Sequence, residues 1–168
     1  DNNKPAVVPI RGSKSKSGII VKGIHDLAVR FSKCCSPVPG DEIVGFVTRG
    51  RGITIHRTDC INVLNLPEIE RSRLIDAEWQ GVEEDSSAAT YTTEISIFAN
   101  NRIGMFVDIS KIFTEREIDI KTMNSRVNKQ GKATITMSFD IHGIEELNNL
   151  MAKLRQIDGV LDIERTTG

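Results

Sequence analysis

Apolar residues recur at two different spacings along this chain, and the change between them divides it. The first part carries short β-rich runs: Ile19-Ile20-Val21, Leu27-Ala28-Val29-Arg30-Phe31, Ile43-Val44-Gly45-Phe46-Val47 and Ile53-Thr54-Ile55. Runs of this length, split by Gly and Pro, predict strands. Pro37, Pro39 and Gly40 separate the second run from the third, and Gly50-Arg51-Gly52 predicts a tight turn before the fourth. Thr58 or Asp59 can cap a short helix from Cys60 to Leu66, which Pro67 closes before a further strand at Leu74–Trp79. Residues 19–80 are thus expected to form a small, mostly-β α+β module.

The second part alternates strand and helix periods. Thr93–Ala99 alternates polar and apolar residues, as a half-buried strand does. Gly104 opens a segment with Met105, Phe106, Ile109, Ile112 and Phe113 at helical spacing. Ile118–Val127 returns to strand character, Lys129–Lys132 predicts a hairpin turn around Gly131, and Ala133–Ile141 alternates again. Gly143–Ile157 repeats the helical spacing, and Gly159–Arg165 reads as a closing strand. The order βαββαβ predicts a ferredoxin-like fold over residues 92–168, in which right-handed crossovers lay both helices on one face of an antiparallel sheet. Two aperiodic stretches flank these parts. Residues 1–18 are polar with four Pro and Gly, residues 81–91 are small and acidic, and both predict linkers.

Composition changes this picture little: 39% hydrophobic and 27% charged residues are ordinary for a globular chain. No apolar run approaches the length of a membrane span, so no membrane partner is expected. The first residues lack the apolar stretch of a secretory signal. Three cysteines, two of them adjacent, argue against a disulfide framework and for a reducing, cytoplasmic setting. Charge is less even. Residues 1–60 hold ten Lys/Arg against five acids, and the remainder twelve against eighteen. A basic first half suits a polyanion such as RNA, or is a solvated tail.

Cys34 and Cys35 follow a predicted strand, and His56 and Cys60 lie where a later strand gives way to a helix. Three thiolates and an imidazole make a tetrahedral zinc set. His56 and Cys60 are four apart and would meet if a helical turn joined them. Adjacent cysteines diverge in an extended chain, so a bend at Cys34–Cys35 is required, and the two-residue gap of a zinc knuckle is absent. Thiols filling a small core explain the same residues. A nucleophilic Cys–His pair is disfavoured, because no oxyanion-hole or elbow motif accompanies it. Zinc and inert packing both stay open.

The loop Asn100-Asn101-Arg102-Ile103-Gly104-Met105 joins the first strand and first helix of the ferredoxin-like part. Gly104 leaves amide donors unobstructed at a helix start, where the dipole also favours a carboxylate. Asn100 and Asn101 can accept from an ammonium or donate to a carboxylate, and Ile103 and Met105 offer apolar surface. Such a loop could hold both ends of an aliphatic amino acid. Capping of the helix by the two asparagines is the plainer reading.

The stretch VRFSKCCSPVPGDEIVGFVTRGRGITIHRTDC, from Val29 to Cys60, strongly resembles the module before the ACT domain in long Rel-type (p)ppGpp synthetase/hydrolases. That module is called the ribosome-intersubunit or zinc-finger-like domain, and Thr93–Arg165 resembles the ACT domain that follows it. The resemblance implies upstream catalytic domains that make (p)ppGpp and, in bifunctional members, hydrolyse it. This chain has no P-loop, paired-acid metal cluster or HD-type His–Asp set, so it is expected to be catalytically silent. The resemblance also implies contact with the ribosome and tRNA, for which Arg30, Lys33, Arg49, Arg51 and Arg57 are candidates, since guanidinium binds phosphate bidentately. ACT domains pair side by side around an amino acid. A homodimer is therefore implied, in which the Asn100–Met105 loop of one chain meets Met123 and Asn124 of its neighbour. The small apolar rim suits valine, isoleucine or leucine, and occupancy would modulate the catalytic domains. The alternative is a ribosome- and tRNA-binding module whose ACT domain is purely structural. The Cys/His positions match the family pattern and leave zinc open.

Overall fold

Five short β-rich runs pair into one sheet in the computed structural model, which describes residues 19–21, 28–50, 52–79 and 89–166. They are β1 (Ile19–Val21), β2 (Ala28–Phe31), β3 (Ile43–Val47), β4 (Gly52–Arg57) and β5 (Leu74–Trp79), ordered β1-β5-β3-β4-β2. β2 runs parallel to β4, and the other pairings are antiparallel. Ile53 and Ile55 alternate inward from β4 and pack with Ile19 and Ala77, while the Phe31 and Trp79 rings stack at 5.6 Å beside them. The linker expected at 1–18, most of that at 81–91, and Arg51 lie outside the described residues.

Between β4 and β5 the chain makes two single turns, α1 (Ile61–Leu64) and α2 (Glu68–Arg71), where one helix from Cys60 to Leu66 is expected. The cap differs as well. Cys60 holds the N-cap position without a side-chain bond. Asp59 is already engaged by Arg57 Nε and Nη2, each at 2.8 Å, and Thr58 turns toward Glu42. Pro67, expected only to stop a helix, is the N-cap of α2, where its fixed φ fits the φ of −57° found there.

The second sheet comprises β6 (Tyr91–Asn100), β7 (Ile120–Val127), β8 (Lys132–Ile141) and β9 (Val160–Arg165), with α3 (Met105–Glu115) and α4 (Ile144–Arg155) as crossovers. Its order β7-β8-β6-β9, all antiparallel, is the ferredoxin-like arrangement. Alternation does the sorting. Ile95 and Ile97 of β6 and Ile135, Met137 and Phe139 of β8 are buried in one core with Ile109 and Phe113 of α3 and Leu147, Leu150 and Leu154 of α4. Gly131, at φ 75°, closes the β7–β8 hairpin in a conformation that side chains strain. β7 is an edge strand and is exposed along most of its length. No helix among the described residues is long and apolar enough to cross a membrane.

The segment from Ser36 to Asp41 fastens the two sheets. Val38 is 0% exposed, yet it is buried in the ferredoxin-like core and not in that of its own module. The Pro39 carbonyl accepts the Ile144 N–H at 2.8 Å, at the start of α4. Gly40, at φ 99°, lies so close that a Cβ there would overlap Ile144 Cγ2. Arg165, ending β9, donates Nη1 to Asp41 Oδ1 (2.7 Å) and Nη2 to Asp41 Oδ2 (2.9 Å) and to the Ser36 carbonyl (3.2 Å). Tyr91 meets Phe31 and Trp79 edge-on, each at 5.5 Å, and Trp79 Nε1 donates to the Asp41 carbonyl at 3.0 Å.

Candidate functional site

Cys34, Cys35, His56 and Cys60 converge, with their ligand atoms all within 4.8 Å of one another. The bend required between the cysteines is a turn in which Ser36 N–H donates to the Ser32 carbonyl at 3.0 Å, and Ser36 takes a left-handed φ of 45°. His56 and Cys60 meet by a different route from the expected helical turn. His56 is in β4 and Cys60 precedes α1, joined by a tight turn in which Cys60 N–H donates to the Arg57 carbonyl at 3.1 Å.

The sulfurs are in distinct electrostatic states. Burial pushes the Cys34 thiol up, but hydrogen bonds led by that with Ser32 (Oγ to Sγ 2.7 Å) outweigh it and bring the thiol below its ordinary value. Burial pushes Cys35 up to about 12 against the Arg57 N–H that donates to its sulfur, and burial also raises Cys60. Burial lowers His56, which favours the neutral imidazole that a metal requires.

This donor set fits a soft divalent cation. Cys34 Sγ is 3.4 Å from both Cys60 Sγ and His56 Nδ1, and Cys35 Sγ is 3.8 Å from Nδ1. A tetrahedral ion with bonds of about 2.3 Å to sulfur spaces its ligands roughly 3.8 Å apart. Three crowded thiols resist ionising together, and a dication would supply the charge that offsets this. The Arg57 amide already donates to Cys35 Sγ, and Ser32 Oγ and Cys34 Sγ are hydrogen-bonded, as groups orienting metal ligands are.

The described basic candidates differ in exposure. Arg30, Lys33 and Arg49 are exposed. Arg57 is 4% exposed, its guanidinium spent on Asp59 and on the Cys35 carbonyl at 3.3 Å. It braces the cysteine turn and is withdrawn as a phosphate contact. Arg49 and Lys33 sit toward opposite ends of β4, which at roughly 3.3 Å per residue is about 17 Å long.

At the other candidate loop, Gly104 is the N-cap of α3 at φ 84°, with no side-chain cap. The capping reading of Asn100 and Asn101 therefore fails: Asn100 Oδ1 accepts from Lys132 Nζ, and Asn101 is exposed, its backbone N–H held by the Gly131 carbonyl at 2.8 Å. Met105 is not part of an apolar rim, because it is buried in the core beneath α3, whereas Ile103 is 100% exposed. Arg102 folds across the helix start, donating Nη2 to Asp108 Oδ2 at 2.6 Å and Nε to the Asp158 carbonyl at 2.8 Å. Met123 and Asn124 lie exposed on β7, separated from β6 by β8, so within one chain they stay apart from the loop. Val38, Asp41 and Arg165 escaped the sequence reading. An apolar residue between two prolines was the available signal.

Residues 19–80 match the RelA/SpoT RIS domain family and residues 87–165 the ACT domain family. A GTP pyrophosphokinase of Escherichia coli K12 is 36% identical over 161 residues, which are 95% of this chain and 21% of that protein. A GTP pyrophosphokinase of Haemophilus influenzae is 34% identical, over 97% of this chain and 22% of that protein. The chain thus spans about a fifth of the length of these curated relatives. Among solved structures it is similar to the ACT domain from the GTP pyrophosphokinase of Chlorobium tepidum, at 26% identity and a TM-score of 0.41, over 46% of this chain and 99% of that one.

Proposed function

The chain belongs with the C-terminal regulatory part of RelA/SpoT-type GTP pyrophosphokinases, a RIS domain followed by an ACT domain, and on that premise we propose that it senses an amino acid for catalytic domains elsewhere in a longer protein. The observation that carries this reading is the start of α3, where Gly104 adopts a left-handed conformation, no side chain caps the helix, and Ile103 stands fully exposed beside it. A second copy would supply β7, whose exposed Met123 and Val127 line an open sheet edge. Valine, isoleucine or leucine would place its carboxylate toward the helix start, in competition with Asp108 for Arg102. Calorimetric titration of the chain with each of the three, alongside its oligomeric state, tests the reading. Heat with branched-chain ligands and none with aspartate is expected. A folded dimer that gives no heat at millimolar ligand removes it.

Exposed Arg30, Lys33 and Arg49 favour a second role, contact with ribosomal RNA or tRNA through the RIS domain. Binding should weaken steeply with salt, and charge reversal at Arg49 should lower it without unfolding the chain. The Cys/His cluster would serve that domain as a structural zinc site, tested by metal analysis of protein purified without chelator.

A further inference from the structure

The junction between the domains begins where the cysteine cluster ends. Cys35 places its sulfur in the cluster, and the carbonyl of the very next residue, Ser36, accepts from Arg165 of the ACT domain. Between them the chain passes through the left-handed Ser36, a conformation that a non-glycine residue keeps only when its surroundings hold it. Five residues on, the segment has buried Val38 in the ACT core, given the Pro39 carbonyl to α4 and offered Asp41 to Arg165. The Val38 N–H donates back to Asp41 Oδ2 at 2.8 Å, so the segment is braced from within. From the cluster side, the Arg57 amide holds Cys35 Sγ at 3.3 Å and its guanidinium holds the Cys35 carbonyl.

We propose that filling of the Cys34–Cys35–His56–Cys60 cluster by a soft divalent cation and docking of the ACT domain are thermodynamically linked through the Ser36–Asp41 segment. The inference rests on the metal reading given above. The two events require the same backbone. Ligation would fix the turn from Ser32 to Ser36, and docking needs the Ser36 carbonyl and everything after it in the conformation that this turn launches. Whichever event comes first bears the ordering cost of the segment, and the second is spared it. Such coupling is reciprocal: the factor by which metal strengthens docking equals the factor by which docking strengthens metal binding.

Cobalt(II) titration of the whole chain, with zinc(II) as competitor, tests the linkage. Binding is read from thiolate-to-cobalt absorption, and docking from hydrogen exchange of the Ile144 amide, whose acceptor lies across the junction. Saturation should slow Ile144 exchange about five- to a hundredfold, and Arg165→Met should weaken cobalt binding by a similar factor although it alters no ligand side chain. Should circular dichroism show that Arg165→Met is unfolded, the wild-type exchange measurement decides alone. Equal cobalt affinity in a folded Arg165→Met, or Ile144 exchange indifferent to bound cobalt, overturns the linkage while the metal site stands. Absence of cobalt absorption in the wild type removes both.

Discussion

Replacing Arg165 with Met asks how much of the domain junction depends on one ion pair. Arg165 and Asp41 side chains are only 11% and 9% exposed and meet through two parallel bonds of 2.7 and 2.9 Å. Unit charges about 4 Å apart at an effective dielectric near 20 attract by roughly 4 kcal/mol. Removing one partner of a buried pair costs about 3–5 kcal/mol by an independent route, because the other charge is stranded. Asp41 would keep the Val38 N–H and the more distant charge of Arg57, while the Met side chain fills most of the vacated volume. A loss near 4 kcal/mol is therefore expected. Trp79, the sole tryptophan, sits at the junction with Nε1 on the Asp41 carbonyl, so its emission follows the event in urea. With a slope of about 2 kcal/mol per molar, the midpoint should fall by about 2 M. Adding Asp41→Asn should restore part of the loss, since no buried charge then remains. A loss below about 1 kcal/mol, the range of exposed pairs, would refute the reasoning, as would single effects that simply add.

Leu150→Ala, at a fully buried position of the ACT core, should cost about 2–5 kcal/mol in heat or urea unfolding. Arg49→Glu should leave the melting curve in place and lower the salt slope of RNA binding by about 1, whereas Arg57→Ala should destabilise the RIS domain by about 1–3 kcal/mol through the orphaned Cys35 carbonyl. Cys60→Ser should weaken thiolate-to-cobalt absorption, since only Cys34 and Cys35 then supply sulfur, while circular dichroism of the chain persists, and unchanged absorption would take Cys60 out of the ligand set.

The ferredoxin-like half was legible because its main elements are long enough to show a period. β6 and β8 alternate over ten residues each, and α3 and α4 run eleven and twelve, so local pattern and global burial agree. The RIS module was harder. Strands such as β3 and β4 could be read from their β-branched runs, but the pairing order β1-β5-β3-β4-β2 has no signature along the chain, and single turns such as α2 are too short to show one. The cluster was half legible. Its residue types and spacing name the chemistry, while the positive φ of Ser36 that turns two adjacent cysteines to one side does not follow from a serine.

Arg57 and Met105 show where local reading stops. An arginine after a glycine-rich turn and a methionine after a helix-opening glycine each suit a surface role, and both are buried by partners far away in sequence, Cys35 for one and the ACT core for the other. By itself the sequence determined the order of elements and the inward face of the long ones, because hydrophobic period is a property of neighbours along the chain. Only the tertiary structure decided that Val38 leaves its own module for another core and that Asp41 finds Arg165, more than a hundred residues on. Such contacts are selected by what the folded surfaces leave unpaired, and no stretch of neighbouring residues carries that information.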